Sequence, residues 1–451
     1  MSNNIKKIEM KCFDIDPSSG CGLVKHSGKI AHVPGFLPGE EGIVEVLETQ
    51  KMAKYRLIKL FKASKVRVDE KCGIFDKCGG CHLLHMNYLE QMSLKKKHVI
   101  NCLKKEKVDS KIDEVIMADK KEGYRNKMIV GLKQKDRDIV YGFYEEESHR
   151  IIPMKSCQVQ SERQNEVAKA ISLIMRDMKI MPYDEDKRKG VIRYALIREA
   201  VTTKEMLVTL VTYSDIFPGR NDFIKRLKNK CPYITTIIQN VNSRKTSIVL
   251  GEKETVLYGP GFIVDELLGI KFKISSKTFY QINHDQTEKL YNKVIEYANL
   301  TGNEIVIDAY CGVGTIGMTM SKKAKEVYGV EVNKQSVINA KSNAVDNKIK
   351  NIKFVCEDAT DYLHKLAEMH TKIDVLVMDP PRSGSTEKFL NAIGKLNPKR
   401  VVYVSCDPQT LARDLGYFLR NNKSYKVTKK CICDMFVGTY HIETICLLEK
   451  N

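Results

Sequence analysis

The stretch Glu304-Ile305-Val306-Ile307-Asp308-Ala309-Tyr310-Cys311-Gly312-Val313-Gly314-Thr315 decides the fold. Its first half is an apolar run that reads as a buried strand. Its second half sets two glycines in a turn, where the backbone bends tightly and lets a ligand approach closely. Working outward, the same strand pattern recurs in Glu326-Val327-Tyr328-Gly329-Val330-Glu331, Ile352-Lys353-Phe354-Val355, Asp374-Val375-Leu376-Val377-Met378-Asp379 and Arg400-Val401-Val402-Tyr403-Val404-Ser405, with helical stretches between. Strands alternating with helices from about residue 276 predict an α/β domain with a doubly wound, mainly parallel sheet. Ligands of such sheets bind beyond the carboxyl ends of the strands, at the switch point.

Those strand ends are acidic. Glu331 ends the second strand and can accept hydrogen bonds from both hydroxyls of a ribose. Asp358 follows the third strand, where an adenine amino group could be bound, and Asp379 ends the fourth. Gly312-Val313-Gly314-Thr315-Ile316-Gly317 also fits the dinucleotide fingerprint, so the glycines alone leave NAD open. A row of carboxylates suits S-adenosylmethionine, whose sulfonium and ammonium are cationic, and repels a pyrophosphate. The expected cofactor is the methyl donor.

Cys406 lies in Val404-Ser405-Cys406-Asp407-Pro408, a polar turn at a strand end facing the same crevice. A free thiol is most often a small buried apolar group, but a core Cys belongs inside the strand. Partial exposure at a turn suits a reactive thiol. A methyltransferase needs a thiol where the acceptor is too weak a nucleophile, as uracil C5 is. Thiolate addition to C6 enriches C5 in electrons, and after methyl transfer a base must remove the C5 proton. Glu443, in His441-Ile442-Glu443-Thr444-Ile445, is the candidate base, with His441 second. Without Cys406, Glu443 would read as a solvated residue on a strand edge.

Two further zones precede this domain. Residues 1–62 hold short alternating stretches broken by Gly and Pro, and predict a small OB-like β-barrel, a fold that often binds nucleic acid. Residues 63–275 predict a mixed α+β domain with a Cys-rich loop at 72–81, a Lys-rich helix around 87–106, and strands at Met206–Val211 and Thr246–Leu250. Cys72, Cys78, Cys81 and Cys157 have the spacing C-x5-C-x2-C followed by a distant Cys. Four thiolates suit a [4Fe–4S] cluster or structural zinc, and spacing does not separate these. His82 and His85 are alternative ligands. The C-x3-C-x2-C pattern of radical enzymes is not present.

Composition bounds the rest. Hydrophobic residues make up 43% and charged residues 29%, as in soluble globular proteins. No apolar run reaches bilayer length, and Met1–Lys7 lacks the apolar core of a signal peptide. A cytoplasmic protein without membrane contact is expected, and its fourteen cysteines are then reduced. A net charge of +19, from 75 Lys and Arg against 56 Asp and Glu, favours a polyanionic partner.

Together these residues resemble the RNA (uracil-5-)-methyltransferase family, most closely its bacterial 23S ribosomal RNA branch, over nearly the whole chain. The resemblance implies a Rossmann-like S-adenosylmethionine-dependent methyltransferase domain at 276–451, a TRAM RNA-binding barrel at 1–62, and a central domain at 63–275. It implies a [4Fe–4S] cluster, in preference to zinc, on Cys72, Cys78, Cys81 and Cys157. Cys406 matches the catalytic thiol, and Glu443 the base. Gln281, in Phe279-Tyr280-Gln281-Ile282-Asn283, and Tyr310, Thr315, Glu331, Asp358 and Asp379 match cofactor positions. Tyr124-Arg125-Asn126-Lys127 matches a segment read here as an RNA contact. The chain departs from the family where Val437 follows Asp434-Met435-Phe436 in place of Pro. The implied partner is RNA, 23S rRNA foremost, with no DNA, and the implied state is a monomer. Transfer RNA is the near alternative, disfavoured because that branch is expected to lack the barrel and the cysteines. An RNA m5C methyltransferase and a non-catalytic iron–sulfur RNA-binding protein are further alternatives. The residues alone stop at a methyltransferase with a reactive thiol.

Overall fold

The apolar runs lie side by side in one eight-stranded sheet. Its order is Ile352–Cys356, Glu326–Glu331, Ile305–Ala309, Val375–Met378, Arg400–Ser405, Glu443–Lys450, Tyr425–Cys433 and Glu114–Ile116. This is a computed structural model that describes residues 4–48, 53–145, 148, 150–246 and 248–450. The first five strands are parallel to one another. Glu443–Lys450 runs antiparallel between its two neighbours. The parallel part begins with Ile305–Ala309, adds two strands on one side, then crosses to Val375–Met378 on the other. That reversal is the switch point, and it opens a crevice at the carboxyl ends.

Successive side chains of a strand point to opposite faces. Val306, Val375, Val377 and Val402 enter a core with helices His284–Ala298, Thr315–Ser321 and Lys334–Asp346. Ile307, Leu376, Val401 and Tyr403 enter a second core with helices Ala359–Glu368, Glu387–Leu396 and Pro408–Asn421. Burial on both faces explains why these strands read as unbroken apolar runs.

The stretch expected as one central domain serves two layers. Helix Tyr88–Lys105 packs into the second core through Met92, Val99 and Leu103, and Glu114–Ile116 is the edge strand of the large sheet. The hairpin Ile263–Leu267 and Ile270–Ile274 belongs to the first core. Between them, seven strands from Lys127 to Tyr258 form a separate sheet, covered on one face by helices Glu162–Asp177 and Arg220–Lys230. Its other face presents Leu196, Leu207 and Ile238 to the first core. Of the strand expected at Thr246–Leu250, Ser247 lies outside the described residues and residues 248–250 are not in a strand; the Asn242 side chain donates to the carbonyls of Ile248 and Val249. The strand that follows is Lys253–Tyr258.

Within the first zone, residues 4–48 and 53–62 form two antiparallel three-stranded sheets around one small core that includes Val24, Val33, Phe36, Val44 and Val46. No closed hydrogen-bonded ring joins them among the described residues. Among the described residues no helix is long and apolar enough to cross a membrane, and all fourteen cysteines are free.

Candidate active site

The Gly-rich turn shapes one wall of the crevice. Gly314 has φ +80°, and a Cβ there would meet the Phe354 ring at 2.6 Å. The Gly312 N–H donates to Glu331 Oε2 at 3.1 Å, and the Asn333 N–H to Oε1 at 2.7 Å. Glu331 is thereby pinned at its strand end, each oxygen keeping a second lone pair for a diol. Thr315 Oγ1 sits 2.8 Å from the Tyr291 hydroxyl. Tyr310, at φ +62°, packs on Phe389 with its hydroxyl 3.4 Å from Ser385 Oγ.

Asp358 is exposed and caps helix Ala359–Glu368, its Oδ1 accepting from the N–H groups of Thr360 and Asp361. Gln281 is half-buried, and its backbone carbonyl accepts from Asn126 Nδ2 at 2.9 Å. Sequence reasoning passed over Asp308. This buried carboxylate takes the Gly317 N–H at 2.7 Å, and its pKa is pushed up to about 7 by burial and by Asp379 and Glu331. Its position just before the Gly-rich turn was the available signal.

Cys406 and Glu443 meet through strand register. Ser405 is paired with Thr444 across antiparallel strands, so Cys406 and Glu443, the next residue on each side, lie at the same end of the sheet, and the Glu443 charge acts on the thiol. Asp379 leaves the adjacent parallel strand at the same end. Glu443 is buried, and its Oε2 has no hydrogen-bond partner. Burial raises the carboxyls of Asp379 and Glu443, and repulsion from Asp379 raises Glu443 further. The half-buried Cys406 thiol is pushed up to about 12, first by burial, then by Glu443 and Asp379. Arg382, exposed in the turn after Asp379, opposes both shifts. Arg382 carries no motif of its own in the sequence, and its place directly after Asp379-Pro380-Pro381 is the signal that marks it. His441 packs against Phe436 and Tyr440, and burial lowers it to about 4, a poorer match to neutral pH than Glu443. The crevice is thus rich in negative charge and lined by polar strand ends, which fits a cationic nucleoside such as S-adenosylmethionine.

Cys72, Cys78, Cys81 and Cys157 line one cavity of about 260 Å³, together with Gly79, Gly80 and Arg125. Among the described residues no group of three or more His, Cys, Asp or Glu could hold a single metal ion. His82 and His85 do not line the cavity: the His82 ring lies against Tyr440 and the His85 ring against Phe75. Tyr124–Lys127 ties this cavity to the active site. The Arg125 N–H donates to the Val159 carbonyl and the Asn126 N–H to that of Ile282, while the Tyr124 hydroxyl donates to the Val437 carbonyl at 2.9 Å. Val437 therefore sits in a held turn without the proline of the family pattern.

The family description tRNA (uracil-5-)-methyltransferase matches residues 87–451. An uncharacterized RNA methyltransferase of Clostridium tetani is 39% identical over 433 residues, covering 96% of this chain and 94% of that protein. One of Halalkalibacterium halodurans is 38% identical over 436 residues, covering 96% and 95%. The crystal structure of the Pyrococcus abyssi tRNA (uracil-54, C5)-methyltransferase with S-adenosyl-L-homocysteine superposes with a TM-score of 0.78 at 26% identity, covering 98% of this chain and 100% of that one. Because that tRNA enzyme matches the chain over its whole length, the N-terminal β unit does not separate ribosomal from transfer RNA, as sequence reasoning expected it to.

Proposed function

Because the chain belongs to the tRNA (uracil-5-)-methyltransferase family, we propose that it methylates C5 of a uridine in RNA, with Cys406 as nucleophile and Glu443 as base. The observation that supports this reading is that Cys406 and Glu443 each adjoin the last pair, Ser405 with Thr444, at one end of the sheet, where the Glu443 charge acts on the Cys406 thiol. S-adenosylmethionine supplies a methyl group on a cationic sulfonium when bound. Glu331, Asp358, Asp379, Gln281, Tyr310 and Thr315 are its proposed contacts.

Positive charge beside Asp379 would offset part of the repulsion on Cys406, while burial, the larger cause of its raised pKa, remains; this eases loss of the thiol proton to solvent. The Cys406 thiolate bonds to C6, and the C5–C6 π pair moves toward C5 and the C4 oxygen. C5 would then take the methyl group as its bond to the donor sulfur breaks, that bonding pair staying on sulfur. Glu443, deprotonated, removes the C5 proton; that C–H pair re-forms the double bond, and the C6–S pair returns to Cys406. An acid raised toward neutrality suits this transfer. The target uridine is flipped out of its stack, because C6 is unreachable within one.

The preferred substrate is 23S rRNA, with the Pyrococcus abyssi likeness favouring transfer RNA as the second reading. The four cysteines are proposed to hold a [4Fe–4S] cluster. All four thiols line one cavity, and the preference for a cluster over zinc there rests on the family resemblance. The N-terminal β unit is proposed to act as the RNA-binding TRAM barrel in the cytoplasm. Mapping 5-methyluridine in ribosomal and transfer RNA with and without the gene tests the function. Loss of a 23S mark supports the preferred reading, loss only in transfer RNA moves the substrate, and no loss in either contradicts the activity.

A further inference from the structure

Lys127 and Arg198 are cross-strand partners in the central sheet, directly opposite each other. Like charges in that position repel. Arg198 is 4% exposed; one terminal nitrogen donates to the Thr278 carbonyl at 2.6 Å, while its Nε is buried without a partner. Neither residue forms an ion pair among the described residues. The charges beside Lys127 are Arg198 and Arg125, both positive, and burial alone lowers Arg198. The neighbouring Glu199 is committed elsewhere, to Ser161 and Arg163. Arg125 differs from the pair, since the thiols of Cys81 and Cys157 act on it.

An unpaired buried cation is costly, and two facing each other more so. The arrangement makes sense for an anion that brings its own charge and several acceptor oxygens. The guanidinium fork suits two oxygens of one phosphate, and Lys adds a point charge. The half-buried Lys127 keeps the pair within reach of solvent. Thr278, which holds Arg198, lies three residues before Gln281, and Asn126 beside Lys127 donates to the Gln281 carbonyl. The pair is thus at the junction of the central sheet with the loop entering the crevice.

We propose that Lys127 and Arg198 form a phosphate-binding site for the RNA strand that delivers the target nucleotide. The site rests on the RNA-methyltransferase reading and adds to it a fixed backbone anchor, separate from Cys406 and Glu443. A phosphate contact positions the strand without reading its sequence.

The test measures binding of a single-stranded uridine-containing oligonucleotide to the full chain across a salt series, for wild type, Lys127→Met and Arg198→Lys. In parallel, S-adenosyl-L-homocysteine affinity and melting temperature are recorded. Lys127→Met should weaken RNA binding about tenfold at low salt and flatten the log–log salt slope by roughly 0.7, the value for one single-strand phosphate. Its melting temperature should hold or rise, because a repulsion is relieved. Arg198→Lys should keep the slope but weaken binding, having lost the fork. An unchanged slope and affinity in Lys127→Met would overturn the site while leaving the methyltransferase reading intact. Reduced affinity for S-adenosyl-L-homocysteine with RNA binding intact would also overturn it, giving the cations to the cofactor's carboxylate. Wild-type protein that binds no RNA would overturn both the site and the reading beneath it.

Discussion

At the scale of single residues, the crevice works by crowding acids around a thiol. Cys406 is held near 12 by burial and two carboxylates, so the empty protein keeps it protonated and protected. Alkylation of Cys406, read by mass spectrometry of its peptide, should be slow at pH 7 and rise about tenfold per pH unit to pH 10, following the thiolate fraction. A cationic cofactor analogue should speed it at fixed pH. A rate already at its plateau at pH 8 would show an acidic thiol and contradict this account. Cys406 and Glu443 were legible in the sequence because each sits in a compact motif at a strand end. Lys127 and Arg198 were not paired in advance, since their meeting depends on a register between strands that no local pattern records.

Among elements, the turn carrying Met435 to His441 depends on distant helices. Lys95, fully buried on helix Tyr88–Lys105, bonds Asp434 at 2.7 Å and the Phe436 carbonyl at 3.1 Å. Gln91 of the same helix accepts from the Gly438 N–H, and the Gly438 carbonyl accepts from the N–H groups of His82 and Leu83, next to Cys81. Lys95→Met should destabilise the protein by about 3–5 kcal/mol, because Asp434 is left as a buried unpaired charge. Adding Asp434→Leu should recover much of that loss in denaturant unfolding; no recovery would deny that the pair is coupled. The parallel strands were readable because burial on both faces leaves unbroken apolar runs. The edge strand Glu114–Ile116 was not, since three residues carry no periodic signal and its partners Cys431–Cys433 lie far along the chain. At residues 248–250 the alternation misled because the Asn242 side-chain amide, rather than a neighbouring strand, takes the carbonyls of Ile248 and Val249.

Over the whole molecule, an acidic crevice is a destabilising feature until a cation fills it. Asp308 has its folded value near 7, above the ordinary 3.8. The folded state therefore binds this proton more tightly than the unfolded one. The resulting stability is present below about pH 4 and is lost as pH rises through 7. The ligand-free protein should melt lower at pH 8 than at pH 6. Asp308→Asn, which keeps an acceptor for the Gly317 N–H, should reduce the stability difference between pH 6 and pH 8 by about 1 kcal/mol. Equal slopes in both proteins would contradict the assignment. Wild-type protein incubated with S-adenosylmethionine and 5-fluorouridine RNA should form a denaturation-resistant adduct, because fluorine at C5 leaves Glu443 no proton to remove. Mass spectrometry should find the RNA on Cys406, and Cys406→Ala should form none. No adduct with wild type, or an adduct that persists in Cys406→Ala, would contradict the account.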